Sequence, residues 1–99
     1  MKPPIELDEG LIAPFCRRNS IVRLWLFGSV LREDFGPESD VDILVEFEPE
    51  AVITLLDMAR IEDELAHIVG RKVDLRTPDE LSRYFRDKVL ASAVLQYAA

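Results

Sequence analysis

The stretch LFGSVLREDFGPESDVDILVEF, Leu26 to Phe47, decides how the chain is read. It contains the end of one strand, the pair Gly28-Ser29, ten intervening residues, and then Asp40-Val41-Asp42 at the head of a second strand. The run IVRLWLF, Ile21 to Phe27, is β-branched and aromatic and reads as a buried strand that Gly28 ends. VDILVEF, Val41 to Phe47, alternates with period two. Val41, Ile43, Val45 and Phe47 form a core face, Asp42, Leu44 and Glu46 lie opposite, and Pro49 closes the strand.

Outward from this centre, residues 7–19 have a helical pattern in Leu11, Ile12, Phe15 and Cys16, interrupted by Pro14. Thr54 to Val69 carries a stripe of Leu55, Met58, Ile61, Leu65 and Ile68, with Gly70 placed as the residue that stops the helix. Lys72 to Arg76 is a short third strand. Thr77-Pro78-Asp79-Glu80 reads as a helix start, with Thr77 as N-cap, Pro78 at N1 and Glu80 completing a capping box. A last helix is expected from there toward Tyr97, with a break near Tyr84 to Asp87. The order α-β-(short α)-β-α-β-α predicts an α/β layer with helices on at least one sheet face.

Ninety-nine residues fit one domain, 1–99, and 48% hydrophobic against 31% charged residues fits a packed core under a solvated surface. The single Cys16 excludes an internal disulfide and a multi-cysteine zinc site, and the single His67 excludes a His-rich metal cage. No apolar run approaches the roughly 20 residues of a membrane span. The start MKPPIELDEG lacks the apolar core of a signal peptide, so the expected location is the cytoplasm. Net charge is −7, and residues 33–50 alone hold eight acids with no Lys or Arg. Such a segment repels nucleic acid, which needs basic residues to release its counterions.

The spacing inside the acidic run matters more than its charge. Asp40 and Asp42 share a strand face with Cα atoms about 6.6 Å apart. Two same-face aspartates repel unless a counter-charge lies between them. Mg²⁺, bound by carboxylates together with substrate phosphates, supplies such a charge. Gly28 permits close backbone approach, and Ser29 adds a hydroxyl for an anion. A short helix over Val30 to Asp34 would aim its first amides at the same spot. A third acid, Asp74, stands between Val73 and Leu75 and faces away from the core. Its alternative role is that of a strand-end aspartate paired with Arg71 or Arg76. Arg32 has two readings as well: a phosphate contact, or a partner for Glu33, Asp34 or Glu38.

The pattern G-S-x10-D-x-D followed by a V-D-L strand resembles the nucleotidyltransferase superfamily of DNA polymerase β, and within it the minimal nucleotidyltransferases (MNT). Leu26-Phe27-Gly28-Ser29, Arg32, Ser39 through Val45 and Val73-Asp74-Leu75 all match, as does the closing Arg86-Asp87-Lys88-Val89-Leu90 with Tyr97. One position departs: Glu33 follows Arg32 where the family has Gly. The resemblance implies the nucleotidyltransferase fold, a small mixed sheet of about three to four strands with helices on one face. It implies that Asp40, Asp42 and Asp74 are catalytic and hold Mg²⁺, two ions in all. It also implies that Gly28, Ser29, Arg32 and Ser39 contact the nucleotide, with ATP as substrate. Family members accompany HEPN-domain toxins and resemble antitoxins that transfer AMP to a toxin tyrosine. The implied partner is therefore a HEPN toxin in a hetero-oligomer. The alternative is an antitoxin that neutralises its partner by binding alone.

Other residues invite blander readings. His67 is expected on a helix surface and Cys16 in the core. Trp25 and Phe27 share a strand face with Arg23 and belong to the core or to the nucleotide side. Val89, Leu90, Val94, Leu95 and Tyr97 cover more than one face of the expected last helix, a surplus that would suit a partner surface.

Overall fold

A computed structural model describes residues 7–28 and 40–99. Helix α1 spans Glu9–Arg18, followed by strands β1 (Ile21–Phe27) and β2 (Val41–Phe47). Helix α2 (Leu55–Val69), strand β3 (Val73–Arg76), a 3₁₀ turn (Pro78–Glu80), helix α3 (Arg83–Ser92) and strand β4 (Val94–Ala98) complete the described chain. The four strands form one mixed sheet in the order β3-β2-β1-β4. β1 pairs antiparallel with both β2 and β4, and β2 pairs parallel with β3.

Each helix begins and ends where its local chemistry dictates. Asp8 caps α1 by accepting from the Gly10 N–H at 2.9 Å. Pro14 is accommodated inside α1. Thr54 and Asp57 form a reciprocal capping box at α2, with bonds of 3.1 and 3.0 Å. Gly70 ends α2 in the left-handed region at φ 77°. Between α1 and β1 the buried Asn19 donates to the Phe15 carbonyl and accepts from Arg60, which fixes the turn into the sheet.

One face of the sheet packs on α1 and α2. Ile12, Phe15 and Cys16 of α1 meet Leu24, Leu26, Val41, Ile43 and Val45 of the sheet and Ile61 and Leu65 of α2, all buried. A register shift between Ile21 and Arg23 brings Ile21 onto this face with Leu24 and Leu26. Leu55 and Leu11, read from the sequence as stripe residues, are instead 89% and 52% exposed. Both lie in the first turn of their helix.

The last helix departs from expectation. The Thr77 start yields only the 3₁₀ turn, held by Glu80 Oε2 accepting from the Thr77 N–H at 3.3 Å. The chain becomes extended at Leu81, and α3 then runs only to Ser92. Arg86 ties the two together by donating to the Pro78 and Leu81 carbonyls at 2.9 and 3.3 Å. Val94–Ala98 is a strand, because β1 offers an unpaired edge whose backbone groups need partners. Val94, Leu95 and Tyr97 suit that role by their β-branched, apolar and aromatic side chains. The apolar surplus assigned to the helix is thus largely sheet, and Tyr97 packs against the core.

Candidate active site at the acidic face of the sheet

Strand pairing brings the proposed acids together from distant parts of the sequence. Phe27 is opposite Asp42 across β1 and β2, so Gly28 follows directly beside Asp42. Asp42 is in turn in register with Asp74 across the parallel β2–β3 pair. That register starts at a bond from the Val41 N–H to the Lys72 carbonyl, 2.9 Å long. Adjacent strands lie about 4.8 Å apart, so the two carboxylates are neighbours on one face. Asp40 precedes β2 by one residue and is exposed.

Gly28 has φ 69°, in the left-handed region that favours glycine. A Cβ placed on it would lie 2.4 Å from Asp42 Oδ2 and 3.2 Å from its Cγ. The backbone therefore approaches the Asp42 carboxylate so closely that a side chain at residue 28 would displace it. The left-handed backbone that glycine permits is present at Gly28, and the group it lies against is the acid of the D-x-D motif.

Asp74 is half-buried and accepts from Arg76 Nε at 3.2 Å. Arg76 is opposite Leu44 in the β2–β3 register and shares the face of Asp74 and Asp42. Leu44 is fully buried on this face, between Arg76 on one side and Trp25 on the other. One row further along β1 and β2, Arg23 pairs with Glu46. Of the two places the sequence left open for Trp25 and Phe27, the structure takes the second: they lie on the acidic face of the sheet, opposite Leu24 and Leu26. Asp74 and Arg76 also line a groove of about 310 Å³ whose other wall includes Leu55, Met58 and Ala59 of α2.

Ser29, Arg32 and Ser39 lie outside the described residues, as does the short helix expected at Val30 to Asp34. Hard carboxylate oxygens are the donors Mg²⁺ takes, and Asp42 and Asp74 in register offer two of them. Among the described residues no three acids, imidazoles or thiolates already stand close enough to hold an ion. The acids fit the metal in kind, and the Asp74 carboxylate is held by Arg76.

The remaining sequence candidates are structural. His67 is exposed on α2, its Nδ1 within 2.8 Å of the Asp63 carbonyl. Cys16 is fully buried, and desolvation pushes its thiol up to about 12, which keeps it protonated and inert. Two residues that alternation alone does not mark also shape the site. Arg76 is one. Glu62 of α2 is the other: it accepts from the Leu75 N–H at 2.9 Å and so closes the outer edge of β3 beside Asp74. No helix among the described residues is long and apolar enough to cross a membrane.

Comparison with known proteins agrees with this geometry. The nucleotidyltransferase domain family profile matches residues 9–96. A provisionally named protein adenylyltransferase of Methanocaldococcus jannaschii is 35% identical over 83 residues, 84% of this chain and 87% of its own. Protein adenylyltransferase MntA of Thermococcus cleftensis is 34% identical over 77 residues, 78% of this chain and 76% of its own. Among solved structures, a provisionally named minimal nucleotidyltransferase superposes with a TM-score of 0.72 at 36% identity, covering 87% of this chain and 86% of that one. A chain of the complex of tri-AMPylated Shewanella oneidensis HEPN toxin with MNT antitoxin superposes at 0.65 with 22% identity, covering 92% and 70%, a likeness of fold.

Proposed function

The chain belongs to the nucleotidyltransferase domain family, and on that premise we propose that it transfers AMP from ATP to a tyrosine hydroxyl of a HEPN toxin and so acts as its antitoxin in the cytoplasm. The observation that carries this reading is the register of Asp42 with Asp74 across β2 and β3, with Gly28, just past the end of β1, against the Asp42 carboxylate. The names of the relatives from Methanocaldococcus and Thermococcus support protein adenylylation. The AMPylated toxin of the Shewanella complex supports a HEPN protein as acceptor.

Asp40, Asp42 and Asp74 would hold Mg²⁺, two ions in all, which when bound offsets charge on the phosphate oxygens. The Gly28 backbone, together with Ser29, Arg32 and Ser39, would bind the triphosphate. The acceptor oxygen forms a bond to the α-phosphorus. The bond from that phosphorus to the β-phosphate oxygen breaks, and pyrophosphate leaves. The hydroxyl proton passes to a carboxylate oxygen of Asp74, whose half-buried position beside the α2 groove leaves it reachable by a docked protein. The acidic run favours a basic protein surface over nucleic acid and speeds its approach at low salt.

The test is mass spectrometry of the HEPN partner after co-expression with this chain or with Asp42→Asn. The wild-type chain should add one or more AMP groups to the partner, and the variant none. A partner that is fully neutralised yet unmodified would establish the alternative, neutralisation by binding alone.

A further inference from the structure

Resting on the reading of Asp42 and Asp74 as cation ligands, we propose that Arg76 is a resident counter-ion of the site: a positioning residue that holds Asp74 in the metal-free protein and competes with the metal for it. The register favours such a charge. Asp42 and Asp74 face one another across adjacent strands, an arrangement in which like charges destabilise the pairing. Arg76 stands two residues along β3 on the same face and donates Nε to Asp74 Oδ1 at 3.2 Å. Its own cross-strand neighbour is the apolar Leu44, so it meets no acid directly opposite. The other nearby acids have partners: Glu46 pairs with Arg23, Glu62 accepts from the Leu75 N–H, and Glu80 accepts from the Thr77 N–H. The guanidinium thus occupies, with respect to Asp74, the role that a divalent cation would take.

Two consequences distinguish this from an ordinary surface pair. A metal ion entering alone must first detach Asp74 from Arg76, so the site resists bare cations until a nucleotide adds its own ligands. Arg76→Gln should therefore bind a cation more tightly in the absence of nucleotide. Both side chains of the pair are partly exposed, at 52% and 39%. The gain is accordingly modest, about two- to fivefold, and shrinks with added salt.

The experiment titrates Mn²⁺, without nucleotide, into the full chain and into Arg76→Gln, Arg76→Lys, Asp74→Asn and the double variant Asp74→Asn/Arg76→Gln, with binding read by calorimetry. Arg76→Gln should bind about two- to fivefold tighter than wild type, Arg76→Lys should restore wild-type affinity, and the double variant should show no gain over Asp74→Asn. Melting without metal should fall in Arg76→Gln and recover with Mn²⁺ more than it does in wild type. Equal or weaker Mn²⁺ binding by Arg76→Gln, while wild type binds Mg²⁺ with ATP, would overturn the counter-ion role alone. No binding of Mg²⁺ with ATP by any variant, wild type included, would overturn the site reading and this role with it.

Discussion

Replacing Gly28 by Ala tests whether the close approach at the end of β1 serves the fold or the chemistry, and Gly70 is its internal control. Both glycines have left-handed backbones, at φ 69° and 77°. An L side chain in that region costs about 1–2 kcal/mol. For a domain of this size each kcal/mol lowers the melting temperature by about 4–8 °C, so both variants should melt lower by comparable amounts. They differ in what the new methyl group meets. At Gly70 nothing lies within 4 Å, whereas at Gly28 the methyl would stand 2.4 Å from Asp42 Oδ2. That oxygen is the far end of the Asp42 side chain, so turning the carboxylate relieves the worst of the clash and limits the further loss of stability. Reaching the ordinary contact distance of 3.4 Å moves the oxygen by about 1 Å. A misplacement of that order costs on the order of 100-fold in rate when the atom serves the reaction. Melting curves and AMP transfer to the HEPN partner should therefore dissociate. Gly70→Ala should retain transfer once folded, and Gly28→Ala should lose it. Equal melting losses with transfer intact in both variants would refute a functional role for the Gly28–Asp42 approach. A far larger melting loss in Gly28→Ala would mean that Asp42 cannot yield and is held for structural reasons.

Asp42→Asn should reduce AMP transfer by orders of magnitude while its metal-free melting temperature holds or rises, because one of two facing charges is removed. Mg²⁺ with ATP should raise the melting temperature of the wild-type chain more than Mg²⁺ alone, as native-state binding does by mass action, and differential scanning calorimetry reads the difference. Cys16 should resist thiol reagents in the folded protein at pH 8 and react fully in denaturant, since burial keeps its thiol protonated up to about 12. The Asp57 carboxyl is held below its ordinary 3.8, chiefly by the Thr54 backbone N–H and then by the Thr54 hydroxyl. Its contribution to stability is whole above that value and is lost as pH falls through the lower folded one, so urea melts of Asp57→Asn should show a shallower acid branch. Thr54→Ala should cost about 1 kcal/mol in the same melts at neutral pH.

The elements that local chemistry dictates were legible. The stop of α2 at Gly70 and the alternation in Val41 to Phe47 needed no tertiary information, and both appear as read. What escaped the sequence depended on partners far along the chain. Val94 to Ala98 carries residues that serve in a helix or a strand, and only the open edge of β1 decides for the strand. Leu44 falls on the polar side of its strand by alternation yet is fully buried, because an interior strand gives it neighbours on both sides, Trp25 and Arg76. Leu55 matched the α2 stripe by spacing, but it lies in the first turn of the helix and remains 89% exposed.

The candidate site and the core are two faces of one register. Val41, Ile43 and Val45 of β2 and Val73 and Leu75 of β3 must all turn toward α1 and α2 to close the core. In a strand the residues between them then turn the opposite way, so burying Val41, Ile43, Val73 and Leu75 places Asp42 and Asp74 side by side. Sliding β3 by one residue would separate the acids only by exposing Val73 and Leu75, a loss of about 1.5–3 kcal/mol for each side chain. The repulsion between two partly exposed carboxylates is smaller than that, so the hydrophobic register prevails and the acids remain together. The spacing of G-S-x10-D-x-D and V-D-L could name these residues, and the sequence offered Arg71 or Arg76 as a partner for Asp74, but only the pairing of β3 with β2 places the Asp74–Arg76 pair beside Asp42.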